Sequence, residues 1–216
     1  MRQFVVIGCG RFGTSVAETL YNLGYDVLAI DKSEEKVQEI SDKVTHAVQA
    51  DAIDETTLKT LGIRNFDVAV VTIGSDMQAS IMATLIAKEL GVKLVIAKAQ
   101  NELHAKVLEK TGADRVVFPE RDMGSRVAHN LVSSNILDYI EFAPDYSIVE
   151  VTVMEDWENK ALKDLNLPTE YGINVIAIKR DQEMNISPYA DDLIKKGDVL
   201  IVIGANKDLR KLEKNS

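Results

Sequence analysis

The sequence predicts a doubly wound parallel α/β sheet followed by a small α+β unit, and three observations carry that prediction. Up to residue 118, short β-rich runs alternate with helical stretches, the pattern of βαβ units. Two of those runs, FVVI and VAVVTI, are apolar without alternation, as expected of strands covered on both faces. From Asp145 the texture changes: YSIVEVTV alternates with period two, and turn signals crowd together. The division expected from this change is 1–140 for the first unit, including a bridging helix, and 141–216 for the second.

In chain order, strands are expected at 3–7, 26–30, 46–49, 67–72, 94–97 and 115–118. Helices fill 12–23, 34–43, 55–61, 77–90 and 102–111. Gly24, Gly62, Gly91 and Gly112 stand where helices stop, because glycine adopts the left-handed cap without a Cβ clash. A further helix follows Pro119, with Met123, Val127 and Leu131 four apart and Ala128 on the same side. That face could pack on its own sheet or on a second copy. Beyond Asp145, ALKDLNLPTEYG reads as a short helix and turn, INVIAIKR as a strand, DQEM as a tight turn and NISP as a short strand ended by Pro188. DDLIKKGDVLIVIG gives a turn at Gly197 and a last strand, and KDLRKLEK a closing helix. A unit of about 70 residues buries little surface alone and is expected to pair with itself.

Composition excludes several classes. The chain has 216 residues, 46% hydrophobic and 27% charged, an ordinary globular mix. Its 34 acidic and 25 basic residues give a net charge of −9. The deficit is spread over both halves, so there is no basic lobe for nucleic acid. The single cysteine, Cys9, rules out an internal disulfide and suits a reducing cytosol. No apolar run reaches the roughly 20 residues of a membrane span, and the early first strand leaves no room for a signal peptide. A membrane role is therefore expected to act through a partner.

The chemistry starts in VVIGCGRFGTSVAETL. Gly8, Gly10 and Gly13 follow G-x-G-x-x-G between a strand and a helix, the Rossmann-like context that gives this motif meaning. Gly8 permits the tight turn, Gly10 the approach of a pyrophosphate, and Gly13 the close packing of helix on strand. The helix start, Arg11 and Phe12, offers N–H groups and partial positive charge to phosphates. Asp31, 18 residues past Gly13 and directly after VLAI, stands where an acid accepts both ribose hydroxyls. It would repel a 2′-phosphate, although Lys32 beside it softens that repulsion. The competing role for Asp31 is a helix cap, for which Ser33 is better placed. Asp51 and Ala52 follow the third strand, at the adenine edge, with Asp54 as cap of the next helix. The bland reading of Cys9 is a small semi-buried residue, since no base accompanies it.

Three charges lie near the expected phosphates. Arg11 could grip terminal phosphate oxygens in a two-pronged contact. Lys98 ends the fifth strand on the ligand side of the sheet. Glu120, just past the sixth strand, would repel polyphosphate unless a divalent cation, Mg or Ca, stood between them.

These stretches, with VLAIDKSEEKV, HAVQADAIDETTLKTLGIRNFDVAVVTIG, MQASIMATLIAKELGV, AKAQNELHAKVLEKTGADRVVFPERDMG and SIVEV…YGINVIAIKR…ISP…GDVLIVIG, resemble the cytosolic regulatory subunits of Ktr-type bacterial potassium transporters. That family carries an RCK nucleotide domain and a TrkA-C-like domain, and the resemblance covers nearly the whole chain. It implies dimers assembling into an octameric ring beneath a membrane potassium-translocating subunit, opened by ATP and closed by ADP. It implies that Arg11 reaches the γ-phosphate in a neighbouring subunit and that Glu120 helps hold a cation there. It also implies a cyclic di-AMP cleft between two C-terminal domains, at Asn174, Ile176 and Pro188. Where several relatives carry an arginine before the YG stretch, this chain has Pro168, Thr169 and Glu170, so an anionic ligand loses a cation.

The competing class is an NAD-dependent oxidoreductase, which the glycine turn and Asp31 fit equally well. Against it, the second unit is small for a substrate lobe. His46, His104 and His129 have no acid partner implied by spacing, and His104 is expected on a helix surface near the ligand rim. No Cys/His metal set or Ser/His/Asp arrangement is present, so no catalytic residue is expected.

Overall fold

The computed structural model describes residues 2–132, 136–143 and 145–213, and the chain divides into two compact units, 1–119 and 120–216. In the first unit β1 (Gln3–Ile7), α1 (Arg11–Asn22), β2 (Asp26–Asp31), α2 (Glu34–Ile40) and β3 (His46–Gln49) build one half. The other half is α3 (Glu55–Thr60), β4 (Val68–Val71), α4 (Met77–Glu89), β5 (Leu94–Lys98), α5 (Glu102–Lys110) and β6 (Arg115–Val117). The six strands are parallel in the order β3-β2-β1-β4-β5-β6. Every expected strand and helix of this unit is present, with ends shifted by a residue or two; the second helix gives way to a 3₁₀ turn at Ser41–Lys43.

The sheet is buried on both faces, which is why its central strands read as unbroken apolar runs. Ala17 of α1 and Ile40 of α2 pack with Val6, Ala29 and Val70 on one face. Leu58, Ala83, Ala87 and Leu108 pack with Val5, Ile7, Ile30 and Val71 on the other. Val5, Val6 and Ile7 are wholly buried, and each such side chain contributes about 1.5–3 kcal/mol of transfer free energy. Helix ends fall where glycine allows them: Gly24, Gly62, Gly91 and Gly112 all take positive φ. Asp54 caps α3 as expected, accepting the N–H groups of Thr56 and Thr57.

The second unit opens with α6 (Pro119–Val132), followed by β7 (Ile136–Ala143) and β8 (Tyr146–Thr152). Two single-turn helices, α7 (Leu162–Leu165) and α8 (Leu167–Glu170), lead to β9 (Ile173–Arg180) and β10 (Glu183–Asn185). The chain closes with β11 (Val199–Ala205) and α9 (Asn206–Glu213). The five strands form an antiparallel sheet, β10-β9-β11-β8-β7. β8 and β11 alternate buried and partly exposed residues, and the buried set packs with Trp157, Leu165, Leu167, Leu209 and Leu212.

Two details differ from expectation. β7 was not expected as a strand, and the division expected at residue 140 falls inside it. The β9–β10 hairpin turns at Asp181, in the left-handed region at φ +52, so the strand occupies Glu183–Asn185 rather than NISP. Asn185 ends it by accepting the Ser187 N–H at 3.1 Å, an Asx turn that takes the chain out of the ladder before Pro188.

Candidate nucleotide site

The carboxyl ends of parallel strands are where an open α/β sheet presents its loops, at the point where strand order reverses. Here that point lies between β1 and β4, and the glycine turn leaves β1 there. Its three glycines face different surroundings. Gly8 has φ +105, and a Cβ there would meet the Ile73 N–H and the Thr72 hydroxyl at 3.0–3.1 Å. A Cβ on Gly13 would collide with the Gly8 carbonyl and the Thr72 hydroxyl, so α1 can approach the strand only with glycine at this place. A Cβ on Gly10 would meet nothing within 4 Å. Protein packing therefore does not require glycine at Gly10, and the space in front of it suits a ligand.

The turn is held by side chains from both neighbouring strands. Asp31, at the end of β2, is buried; its Oδ2 accepts the Cys9 N–H at 2.7 Å and its Oδ1 the Ser33 N–H at 2.8 Å. A carboxylate has about four lone-pair sites, so two remain for hydroxyl donors. Lys36 of α2 stands 3.8 Å from Asp31 Oδ2, a second cation near the acid besides the exposed Lys32. Ser33 precedes α2 at the cap position, but its side chain makes no capping bond; the local bond runs from its N–H to Asp31 instead. Cys9 is buried, and its thiol is pushed up to about 12, first by burial and then by the charge of Asp31, with Lys36 opposing. It is a neutral packing residue at physiological pH.

The first helical hydrogen bond of α1 runs from Thr14 N–H to Gly10 O at 2.8 Å. The N–H groups ahead of it have no intrahelical acceptor and are the donors a phosphate would take. Arg11 is exposed at the first position of α1. Lys98, the last residue of β5, places its Nζ 6.0 Å from the Phe12 ring centroid, bringing the β5 end to the start of α1. The Gln100 side chain donates to the Gly74 carbonyl, which ties the loops after β5 and β4 together. Asp51 is exposed and accepts the Ile53 N–H at 3.2 Å, while Ala52 beside it is buried in the core.

His104 corrects one expectation. It is fully buried, not on the helix surface. Its Nδ1 accepts the Gln100 N–H at 3.3 Å, and burial holds the imidazole below its ordinary pKa. The inward face of α5 is His104, Ala105 and Leu108, and the large apolar residue of that turn, Leu103, is 72% exposed.

The remaining expected residues lie in the second unit. Glu120 is in the first turn of α6. Among the described residues, no three His, Cys, Asp or Glu side chains cluster as a metal site. Asn174 and Ile176 are exposed on β9, and Pro188 is half-buried in the following loop. A cavity of about 440 Å³ beside the β9–β10 hairpin is lined by Ile178, Arg180, Met184, Leu193 and polar neighbours, and none of those three residues lines it.

Fold and turn together define a Rossmann-type nucleotide lobe joined to a small antiparallel lobe. Comparison with known proteins gives the same division: the TrkA-N domain matches residues 4–119 and the TrkA-C domain residues 147–216. The chain is 49% identical over 213 residues to the Ktr system potassium uptake protein C of Bacillus subtilis, covering 99% of this chain and 96% of that one. Among solved structures it is similar to the GsuK channel bound to NAD, with a TM-score of 0.67 and 14% identity over 98% of this chain and 39% of the channel chain. The GsuK structure bound to ADP gives 0.51 and 29% identity over 60% of this chain and 33% of the channel chain. The protein belongs to the TrkA-N/TrkA-C (RCK) family of Ktr-type potassium-uptake regulatory subunits. Among the described residues no helix is long and apolar enough to cross a membrane.

Proposed function

We propose that this protein is a cytosolic, non-catalytic nucleotide sensor that gates a membrane potassium-translocating subunit. The observation that carries the reading is Gly10: the middle glycine of the turn opens onto space that protein packing leaves unused, in a chain whose whole length matches Ktr regulatory proteins. The similar GsuK structures, one bound to NAD and one to ADP, support a nucleotide in this lobe.

In this reading Gly8, Gly10, Gly13 and the N–H groups of Arg11 and Phe12 hold the phosphates. Asp31, with Lys32 at its side, takes the ribose. Asp51 and Ala52 border the adenine. Lys98 and Arg11 supply charge to the phosphate end, Arg11 toward the γ-phosphate bound by a neighbouring subunit, with a divalent cation near Glu120. A ligand shifts a conformational equilibrium only by as much as it prefers one state. ATP and ADP differ by one phosphoryl group, so the groups that meet it set the difference. The assembly is an octameric ring of dimers, and the second lobe offers Asn174, Ile176 and Pro188 to cyclic di-AMP.

Thermal shift with ATP, ADP, NAD and NADH, each with and without magnesium, tests the sensor against the oxidoreductase. ATP and ADP should raise the melting temperature more than NADH. A preference for NADH with substrate-dependent change in its absorbance would favour the enzyme. Arg11→Ala should narrow the ATP-versus-ADP difference and leave ADP binding mostly intact; equal loss of both ligands contradicts its role.

A further inference from the structure

We propose that Thr72, which directly follows β4, is a positioning residue for the phosphate-binding turn; the proposal rests on the nucleotide reading above. Thr72 is 5% exposed at the end of an otherwise apolar strand. Its N–H continues the ladder to Ile7 O at 2.8 Å. Its hydroxyl carries one further proton, and the nearer acceptor is the Gly8 carbonyl at 2.5 Å, with Ile7 O at 3.2 Å. That hydroxyl also occupies the space a Cβ on Gly13 would need.

The consequence lies in the peptide between Gly8 and Cys9. Thr72 from β4 holds its carbonyl end, and Asp31 from β2 holds its N–H end at 2.7 Å. The Gly8 N–H is fixed as well, to Ile30 O at 2.7 Å. A peptide pinned at both ends resists rotation, which fixes the backbone that leads into Gly10 and the start of α1. Without the hydroxyl, a buried carbonyl loses its donor, and such a group recovers a partner by moving. Rotation of this peptide would withdraw the Cys9 N–H from Asp31 and disturb phosphate and ribose sites together. The Thr72 hydroxyl acts on the Gly8 carbonyl, at the start of the turn, whereas Arg11 stands at the first position of α1. Its loss should therefore weaken ATP and ADP alike, unlike the loss of Arg11.

The test is calorimetric titration of the full chain with ATP and with ADP, alongside the melting temperature without ligand, for wild type, Thr72→Val and Thr72→Ser. Thr72→Val should bind both nucleotides about tenfold more weakly, the effect of losing one well-placed hydrogen bond, with the ATP-to-ADP ratio unchanged. Thr72→Ser, which keeps the hydroxyl, should bind within about threefold of wild type even if its melting temperature falls with the lost methyl. If Thr72→Val does not fold, Thr72→Ala read against Thr72→Ser makes the same comparison. Wild-type affinity in the hydroxyl-free variant, or a serine variant as weak as it, overturns the positioning role while leaving the nucleotide reading intact. A wild-type protein that binds neither nucleotide overturns both.

Discussion

The two lobes bury polar side chains for different ends. In the antiparallel lobe, Asp198 is 1% exposed, and its carboxylate is filled by Arg180 at two contacts of 2.7 Å and by the Lys195 N–H at 2.8 Å. Ser147 is likewise satisfied by Asn206. These groups close on themselves and serve stability. In the parallel lobe, Asp31 and Thr72 are buried at the carboxyl ends of strands, and each makes a hydrogen bond to the same turn. That turn faces open space at Gly10. Asp198 and Ser147 finish their bonds inside their lobe, whereas Asp31 and Thr72 shape a turn at the edge of theirs.

Each lobe also carries its own reporter, which lets the comparison be broken experimentally. Trp157, the single tryptophan, packs edge-on to Tyr171 at 5.5 Å in the second lobe. Cys9, the single cysteine, is buried in the first. Its thiolate is scarce at neutral pH, so thiol labelling there reads opening of the lobe.

The largest expected effect is Leu200→Ala, which removes a fully buried side chain near the start of β11 and should cost about 2–5 kcal/mol. Tryptophan fluorescence should show earlier unfolding in denaturant, with Cys9 labelling at low denaturant unchanged. A matching rise in labelling would mean that the lobes unfold as one. Gly13→Ala comes next: a methyl forced against backbone costs about 1–3 kcal/mol or more. It should speed Cys9 labelling, abolish nucleotide binding and leave the tryptophan transition in place.

Asp198→Asn should cost about 1–2 kcal/mol, discounted because Arg180 is half exposed to solvent. Burial pushes the Asp198 carboxyl up, but Arg180, the Lys195 N–H and the neighbouring positive charges outweigh it and hold it below the usual carboxylate range. A depressed carboxyl adds stability above its unfolded pKa and loses it as pH falls through the folded value. The tryptophan transition should therefore weaken on acidification, and the Asn variant should show a shallower slope. Gly10→Ala should have the smallest effect on stability, within about 0.5 kcal/mol, because its methyl meets nothing. Yet it should lose nucleotide affinity, and a Gly10→Ala protein that binds normally would remove the ligand reading of that open space.

Much of the first lobe was legible because its signals are local. Unbroken apolar runs, glycine stops and the Asp54 cap each fix an element without help from distant residues. β7 was not legible: its pairing with β8 carries two irregularities, near Asp138 and Ala143, so no clean alternation marks it. His104 was misplaced because Leu103 beside it is the more apolar residue, and only packing of α5 selects which one turns inward. The glycines and Asp31 were readable from spacing. Thr72 and Lys36 were not, since one reads as an ordinary strand former and the other as a solvated helix residue.

By itself, the sequence determined the order of elements, the doubly covered sheet, the glycine turn and its acid, since each is written within a few neighbouring residues. Only the tertiary structure decided which side chains hold that turn, because Gly8, Asp31 and Thr72 meet through the adjacency of β2, β1 and β4. Adjacency of strands far apart in the chain is set by burial and hydrogen-bond pairing across the sheet, which no local pattern encodes.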